Sequence, residues 1–157
     1  LSGNYRNPIG DAFSRETLNL AKSVFSSHDM MREEASEELM VASYLGGCAI
    51  ASSYVGVVHP FSAALSVVLG VHHCIANCIV MRAMQEFYPL YFDEFWKMAE
   101  KQKVEIPSGI CKNLTDQQFK NLIDSTIIHE RPLSNALGSN FRKVLSDEKI
   151  IDLFSKM

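Results

Sequence analysis

The amino-acid sequence predicts an all-α fold. Apolar residues recur at intervals of three and four positions along most of the chain, as on the buried face of a helix, and no stretch alternates apolar and polar residues as a half-buried strand does. A hydrophobic content of 47% in 157 residues is also enough to build one core. We therefore expect six to eight helices in a single domain over residues 1–157.

The first two helices are predicted from their apolar faces and their charges. The first follows the turn-forming sequence "NPIGD" and ends near "SSHD". Its predicted buried face consists of Phe13, Thr17, Leu20, Ala21, Val24 and Phe25. The second begins in the acidic "REEASEE", where negative charge suits the positive end of the helix dipole. Between Gly46 and Ser53 it is rich in small residues, which cost helix propensity and predict close approach by another helix or a partner.

The remaining helices are predicted from their caps and ends. Pro60 suits the first position of a helix, and Gly70 suits the position where that helix stops. The segments "PLYFDEFWKMAEKQ" and "TDQQFKNLIDSTII" predict two amphipathic outer helices, the second opened by a capping box of Thr115 and Gln118. A loop, "KVEIPSGICKNL", connects them, and Ser146 caps a final helix in "DEKIIDLFSKM".

A run of 43 residues from Leu39 to Met81 contains no Asp, Glu, Lys or Arg. Its length is compatible with a membrane hairpin. Glycines and Pro60 interrupt the run, however, and its Ser, His and Asn side chains would be costly in lipid unless paired. We therefore expect no membrane association, and we expect these helices to be buried against another domain or subunit.

Composition also bears on partners and on the cellular compartment. The formal net charge is −3 and the Lys and Arg residues are scattered, so we expect no nucleic-acid binding. The four cysteines lack a disulfide-framework spacing and the N-terminus lacks the features of a signal peptide, which predicts a reducing, cytoplasmic setting. Since the chain begins at Leu1 within a polar stretch, we expect it to be a piece of a longer protein.

The segment "GVVHPFSAALSVVLGVHHCIANCIVM", residues 56–81, holds three of the five histidines in apolar surroundings. On one continuous helix His59 and His73 would lie about 21 Å apart, at about 1.5 Å per residue. A helix that ends at Gly70, followed by a short extended return, instead allows the two imidazoles to converge on one ion. The alternative is that both are core histidines hydrogen-bonded to backbone or serine groups.

Other histidines and cysteines offer a rival site. His72 with Cys74 and Cys78, which share a helix face, is compatible with a closed zinc site, although buried free cysteines more often act as small apolar residues. His28 and His129 are isolated by chain position, so we interpret them as surface or capping residues. The sequence contains no Ser-His-Asp constellation with a nucleophile turn, no Gly-rich phosphate loop and no paired-carboxylate site.

The same segment resembles the second metal-binding segment of the iron-containing (group III) alcohol dehydrogenases, in which a histidine opens a helix and a second follows 14 positions later. Asn77 matches the H-x-x-x-N continuation of that family, and "NPIGDAFSRETLNLAKSVF" is similar to its helix after the first metal-binding segment. The resemblance thus covers nearly the whole chain. Within the family, "VHPFSAALSVVLGVHHCIANC" and "RPLSNALG" are most similar to the branch that oxidises the C8 hydroxyl of 3-deoxy-D-manno-octulosonate.

The resemblance implies that His59 and His73 are metal ligands, for Fe2+ or Zn2+, in the C-terminal helical bundle of a dehydroquinate synthase-like fold. In the family an upstream Asp and His complete the site, and an N-terminal half binds NAD or NADP; this chain contains neither part. Many members place a histidine four positions after the first ligand, where this sequence has Ala63. His72 or Ser62 is then a candidate proton relay or substrate contact, whereas we do not assign Asn135 to the site.

Two functional hypotheses follow. The first is the metal-binding half of an NAD(P)-dependent enzyme that oxidises a primary alcohol or a sugar acid to an aldehyde by hydride transfer, inactive as this chain alone. That enzyme would include its N-terminal nucleotide-binding domain and would form a homo-oligomer. The alternative is a non-catalytic helical interaction module with core histidines.

Overall fold

The computed structural model describes residues 3–157, which are helical with no β-strand, and this confirms the predicted fold class. Over these residues the α-helices are α1 Pro8–Phe25, α2 Glu33–Ser53, α3 Val58–Leu69, α4 His73–Val80, α5 Pro89–Lys101, α6 Asp116–Ile127, α7 Glu130–Leu137, α8 Phe141–Val144 and α9 Asp147–Ser155. A short 3-10 helix, Met81–Ala83, follows α4.

The expected count of six to eight helices is too low for the described residues, because the last quarter of the chain is divided into short helices. Gly138 has a positive φ of 86° and ends α7, and α8 is a single turn that ends at Val144. The predicted capping box of Thr115 and Gln118 at α6 and the predicted cap of Ser146 at α9 are both confirmed.

The described chain forms two compact units. The first contains the segment up to Tyr54 and the segment Asp93–Glu105, and therefore α1, α2 and most of α5. The second contains Val55–Phe92 and Ile106–Met157, and therefore α3, α4 and α6 to α9. The histidines of interest in residues 56–81 all belong to the second unit.

In the first unit α1 packs along α2. The helix begins at Pro8, inside the sequence predicted to be a turn, because the Asn7 side chain accepts a hydrogen bond from the Gly10 N–H at 2.8 Å and caps it. The same side chain donates to the Ser52 carbonyl at 2.8 Å, which joins the start of α1 to the end of α2. Gly46 faces Thr17 of α1, so the small residues of α2 admit a neighbouring helix as predicted.

The opposite face of α2 is exposed. Met40 and Tyr44, four positions apart on the helix, are 71% and 72% exposed, and Val41 and Ile50 are each at least half exposed. The part of α2 that lacks charge therefore presents an apolar surface on the side away from α1. The predicted burial of this surface against another domain or subunit stays a prediction.

The second unit is built around α3. Phe61 and Leu65 of this helix are fully buried, and the rings of Phe61 and Phe154 of α9 lie 5.1 Å apart. Leu122 of α6 and Leu133 of α7 are buried in the same core. Because one face of α3 packs into this core, the beginning of the helix is held in a fixed position.

Within residues 3–157 no single helix has both the length and the apolar character needed to cross a bilayer; only α2 and α3 taken together as a broken pair meet that description by length and composition.

Candidate metal centre

The position of His59 is set by the chain that leads into α3. The helix begins at Val58, so His59 is its second residue and Pro60 its third, two positions later than predicted for this proline. The Val57 N–H, which precedes the helix, donates to the Tyr88 hydroxyl at 3.1 Å. A Cβ placed on Gly56 would lie only 2.5 Å from the same hydroxyl, so the absence of a side chain there permits this close approach.

The position of His73 follows from the end of α3. Gly70 has φ 69° and ψ 16°, the left-handed conformation in which glycine commonly ends a helix, and its N–H donates to the Ser66 carbonyl. The chain reverses after Gly70, passes the exposed His72 and enters α4 at His73, its first residue. The predicted end of the helix at Gly70 is confirmed, and this reversal returns the chain toward the beginning of α3.

His59 and His73 are neighbours in the folded chain. Their ring centres are 5.1 Å apart and the ring planes meet at 78°. Imidazoles bound to one tetrahedral ion have ring centres about 5 Å apart, since each metal–nitrogen bond is about 2.0–2.1 Å long. The separation of the two rings is therefore the one that a shared ion requires.

A third histidine lies beside this pair. The ring centre of His129 is 5.7 Å from that of His59, with an interplanar angle of 79°. The interpretation of His129 as an isolated surface or capping residue is wrong, because it is half-buried, contacts His59 and makes no side-chain cap hydrogen bond at the start of α7. The contact of His129 with His59 was not evident in the sequence, because the two residues are far apart in the chain. The one sequence feature that pointed to it is that His129 lies at the start of a helix, as His59 and His73 do.

The other candidate residues are placed differently. The Ser62 hydroxyl is fully buried and donates to the His59 carbonyl at 3.0 Å, so it braces the first turn of α3. The buried Asn135 side chain donates to the Val55 carbonyl at 3.4 Å, which ties α7 to the segment before α3. A proton-relay role for His72 or Ser62 stays a prediction.

The rival zinc site is not supported by the burial of its members. His72 and Cys74 are exposed to solvent, and Cys78 is half-buried with its thiol free. Burial, followed by the neighbouring Cys74, raises the pKa of the Cys78 thiol, which disfavours the thiolate that a metal ion requires. Histidine chemistry thus fits this region better than cysteine chemistry does.

The electrostatic surroundings of His59 favour a neutral imidazole. Partial burial, followed by the nearby His73 and His129, lowers the pKa of His59 below its usual value of 6.5, because both effects disfavour the charged form. A neutral ring has a lone pair available for a metal ion.

The donor set fits a divalent ion in type and spacing but is not preformed. Imidazole nitrogen binds Fe2+ and Zn2+ alike, and the 5.1 Å between the ring centres of His59 and His73 is compatible with two ligands of one ion. Over the described part of the chain, however, no group of three or more His, Cys, Asp or Glu side chains is arranged to hold an ion as it stands.

Comparison with protein families gives the class of this domain. The model of the Fe-containing alcohol dehydrogenase family, C-terminal, matches residues 3–121, about three quarters of the chain. The matched region includes His59 and His73 and ends before His129.

This chain therefore belongs to the Fe-containing alcohol dehydrogenase family, and the matched region corresponds to the family's C-terminal domain. Membership supports an oxidoreductase role for the full-length protein. It does not favour the alternative of a non-catalytic interaction module. Proteins of this family typically bind a divalent metal ion and NAD(P).

Proposed function

We propose that this chain is the metal-binding helical half of an NAD(P)-dependent alcohol dehydrogenase that oxidises a primary alcohol to an aldehyde. The proposal rests on the positions of His59 and His73, the two histidines that the family resemblance implies as ligands. Their ring centres lie 5.1 Å apart, and both residues are inside the region matched to the family. The nucleotide-binding half belongs to a longer form of the protein, and this chain alone is inactive.

In this proposal His59 and His73 hold a divalent ion, Fe2+ or Zn2+, as neutral imidazoles. Both side chains extend from the first two residues of a helix, α3 and α4 respectively, whose backbones are fixed by packing. Ser62 and Gly70 maintain this geometry, one by bracing the His59 carbonyl and the other by reversing the chain. When bound, the ion supplies Lewis-acid polarisation of the alcohol oxygen, which makes the hydroxyl easier to deprotonate.

The proposed substrate is a primary alcohol, and more narrowly the C8 hydroxyl of 3-deoxy-D-manno-octulosonate. This narrower assignment is based on the similarity of "VHPFSAALSVVLGVHHCIANC" and "RPLSNALG" to that branch of the family. The hydride acceptor is NAD or NADP, bound mainly by the N-terminal half.

Further parts of the proposal concern assembly and location. The exposed apolar face of α2 supports burial against the N-terminal domain or a second copy of the chain. The four cysteines of the chain form no disulfide bond, which supports a reducing compartment such as the cytoplasm. No nucleic-acid or membrane partner is proposed.

The test is an assay of nicotinamide reduction. The longest natural form of the protein and the 157-residue chain are each supplied with Fe2+ or Zn2+ and with NAD+ or NADP+. The substrates are 3-deoxy-D-manno-octulosonate, its analogue lacking the C8 hydroxyl, and simple primary alcohols.

We expect NAD+ or NADP+ to be reduced only by the longer form of the protein, and only with substrates that carry the primary hydroxyl. Appreciable turnover by the 157-residue chain alone would refute the proposal that it is incomplete. A longer form that oxidises no primary alcohol would contradict the dehydrogenase assignment, and activity on simple alcohols alone would remove the sugar-acid substrate.

A further inference from the structure

We infer that two copies of this chain pair through their α2 helices, which lie side by side and antiparallel about a two-fold axis between Tyr44 and Gly47. The surface that pairs is an exposed stripe along the helix, here called the α2 stripe, formed by Glu33, Glu37, Met40, Tyr44, Gly47 and Ala51. The inference does not use the metal site or the proposed reaction, and it commits this apolar face to a second copy of the chain.

The α2 stripe is placed for packing against another helix. Its six residues are spaced by four and three positions in turn, so at 3.6 residues per turn they all lie within about 40° of one line along the helix. The buried residues Ala35, Ala42 and Ala49 lie on the opposite side of α2. Two helices pack at a small crossing angle along residues spaced in this way.

The α2 stripe is complementary in shape to itself. Met40 and Tyr44 are large and 71% and 72% exposed, whereas a Cβ built on Gly47 meets no atom within 4 Å. An antiparallel pair about the stated axis places Tyr44 of one copy opposite Gly47 of the other. The same pairing places Met40 opposite Ala51, so each large side chain fills the space above a small one. A parallel pair would instead set Tyr44 against Tyr44 and leave a gap at Gly47.

Charge also favours the antiparallel arrangement. The chain has no charged residue between Met40 and Ala51, and the acidic residues of the stripe, Glu33 and Glu37, lie at its N-terminal end. A parallel pair would bring the carboxylates of both copies together, which is unfavourable. The antiparallel pair separates them and places Glu37 opposite Tyr54, whose hydroxyl can donate a hydrogen bond to a carboxylate.

A strained residue lies at the C-terminal end of the same helix. Tyr54 ends α2 with φ 61° and ψ 170°, a conformation adopted almost only by glycine. Its ring is 45% exposed and its centre lies 5.1 Å from that of the Tyr5 ring. Strained backbone of this kind is concentrated at functional contacts, so an exposed aromatic ring held in this way is a second observation that supports a binding surface here.

The experiment measures the dimer dissociation constant of the 157-residue chain by sedimentation velocity. One helix face buries less area than a standard interface, so we expect a Kd in the micromolar range. The variants are Met40→Glu, Ala51→Lys and the combination of the two. Within one copy these positions are 11 residues apart, about 17 Å along the helix, so an ion pair forms only between copies.

The control is Met40→Glu combined with Val67→Lys. It has the same net charge as the first double variant, but Val67 is 77% exposed and lies outside α2. Circular dichroism of each variant establishes that it is folded.

The wild type should dimerise, and each single variant should raise the Kd by more than about tenfold, because it places an unpaired charge in an apolar contact. Met40→Glu with Ala51→Lys should bind about tenfold more tightly than Met40→Glu alone, because the two-fold axis forms the ion pair twice. The control should match Met40→Glu.

A wild type that stays monomeric across the micromolar range would overturn the inference and favour the N-terminal half as the occupant of this face. A dimer in which Met40→Glu with Ala51→Lys binds no more tightly than the control would overturn the antiparallel pairing. Neither result bears on the proposed reaction, because metal binding by His59 and His73 is measured separately.

Discussion

The imidazole rings of His59 and His73 lie 5.1 Å apart although the two residues are 14 positions apart in the chain. A continuous helix would separate them by about 21 Å, at about 1.5 Å per residue. The difference comes from Gly70, whose left-handed conformation ends α3 and allows α4 to begin next to the start of α3.

The first prediction concerns Gly70. Gly70→Ala should lower the free energy of unfolding by about 1–2 kcal/mol, because a side chain in the left-handed conformation is strained by about that amount. No atom lies within 4 Å of an added Cβ there, so a steric clash does not contribute. Gly47→Ala is the matched control: it is an exposed helical glycine with open space around it, and it should stabilise by up to about 1 kcal/mol. Urea unfolding measures both, and effects of the same sign would contradict the argument.

The second prediction concerns the contact between Gly56 and Tyr88. Tyr88→Phe should cost about 1–3 kcal/mol, because the buried Val57 N–H loses its hydrogen-bond acceptor. Gly56→Ala should also destabilise, since the new Cβ would lie 2.5 Å from the Tyr88 hydroxyl and 3.6 Å from Cζ. The cost of Gly56→Ala should therefore be smaller in the Tyr88→Phe background. A double-mutant cycle measures this coupling, and strictly additive costs would count against the described contact.

The third prediction concerns cysteine reactivity. Cys111 is 1% exposed, and burial raises the pKa of its thiol to about 11. Near pH 8 only about one part in a thousand is then thiolate, the reactive form. Cys74 is exposed, so an alkylating reagent followed by peptide mass analysis should label Cys74 first and Cys111 only after unfolding. Equal labelling of the two in the folded chain would show that the core around Cys111 is wrongly described.

The fourth prediction concerns the exposed apolar face of α2. The chain should bind a hydrophobic dye or self-associate, and the double substitution Met40→Glu and Tyr44→Glu should reduce both properties. Met31→Glu is the control, because Met31 is 79% exposed but lies outside the helix. A wild-type monomer with no affinity for the dye would argue against an interaction surface here.

The all-α fold and most of the helix caps and helix ends were correctly predicted from the sequence. Thr115, Gln118, Ser146 and Gly70 act where their side-chain chemistry or conformational freedom indicates, because capping and helix ends depend on a few neighbouring residues. The start of α1 differs from the prediction, because Asn7 lies in the sequence predicted to be a turn and caps the helix.

The contact of His129 with His59 was not predictable by the same reasoning. It depends on the packing of α7 against α3, with Leu133 in the shared core and a hydrogen bond from Asn135 to Val55. That hydrogen bond joins positions 80 apart in the chain. The position of His129 in the chain predicted an isolated residue, whereas tertiary packing places its ring beside His59. The convergence of His59 and His73 was accessible because a single local feature, the helix end at Gly70, produces it.

The most direct test of the account is metal analysis of the longest natural form of the protein and of its His59→Ala and His73→Ala variants. Each is loaded with Fe2+ or Zn2+ and dialysed identically, and His28→Ala is the control. The account predicts that both site variants lose the bound metal and that His28→Ala retains it, since the two imidazoles hold the same ion. Circular dichroism of each variant establishes that it is folded. Metal that is absent from all four proteins, or is retained in both site variants, would contradict a shared metal site and leave His59 and His73 as core histidines.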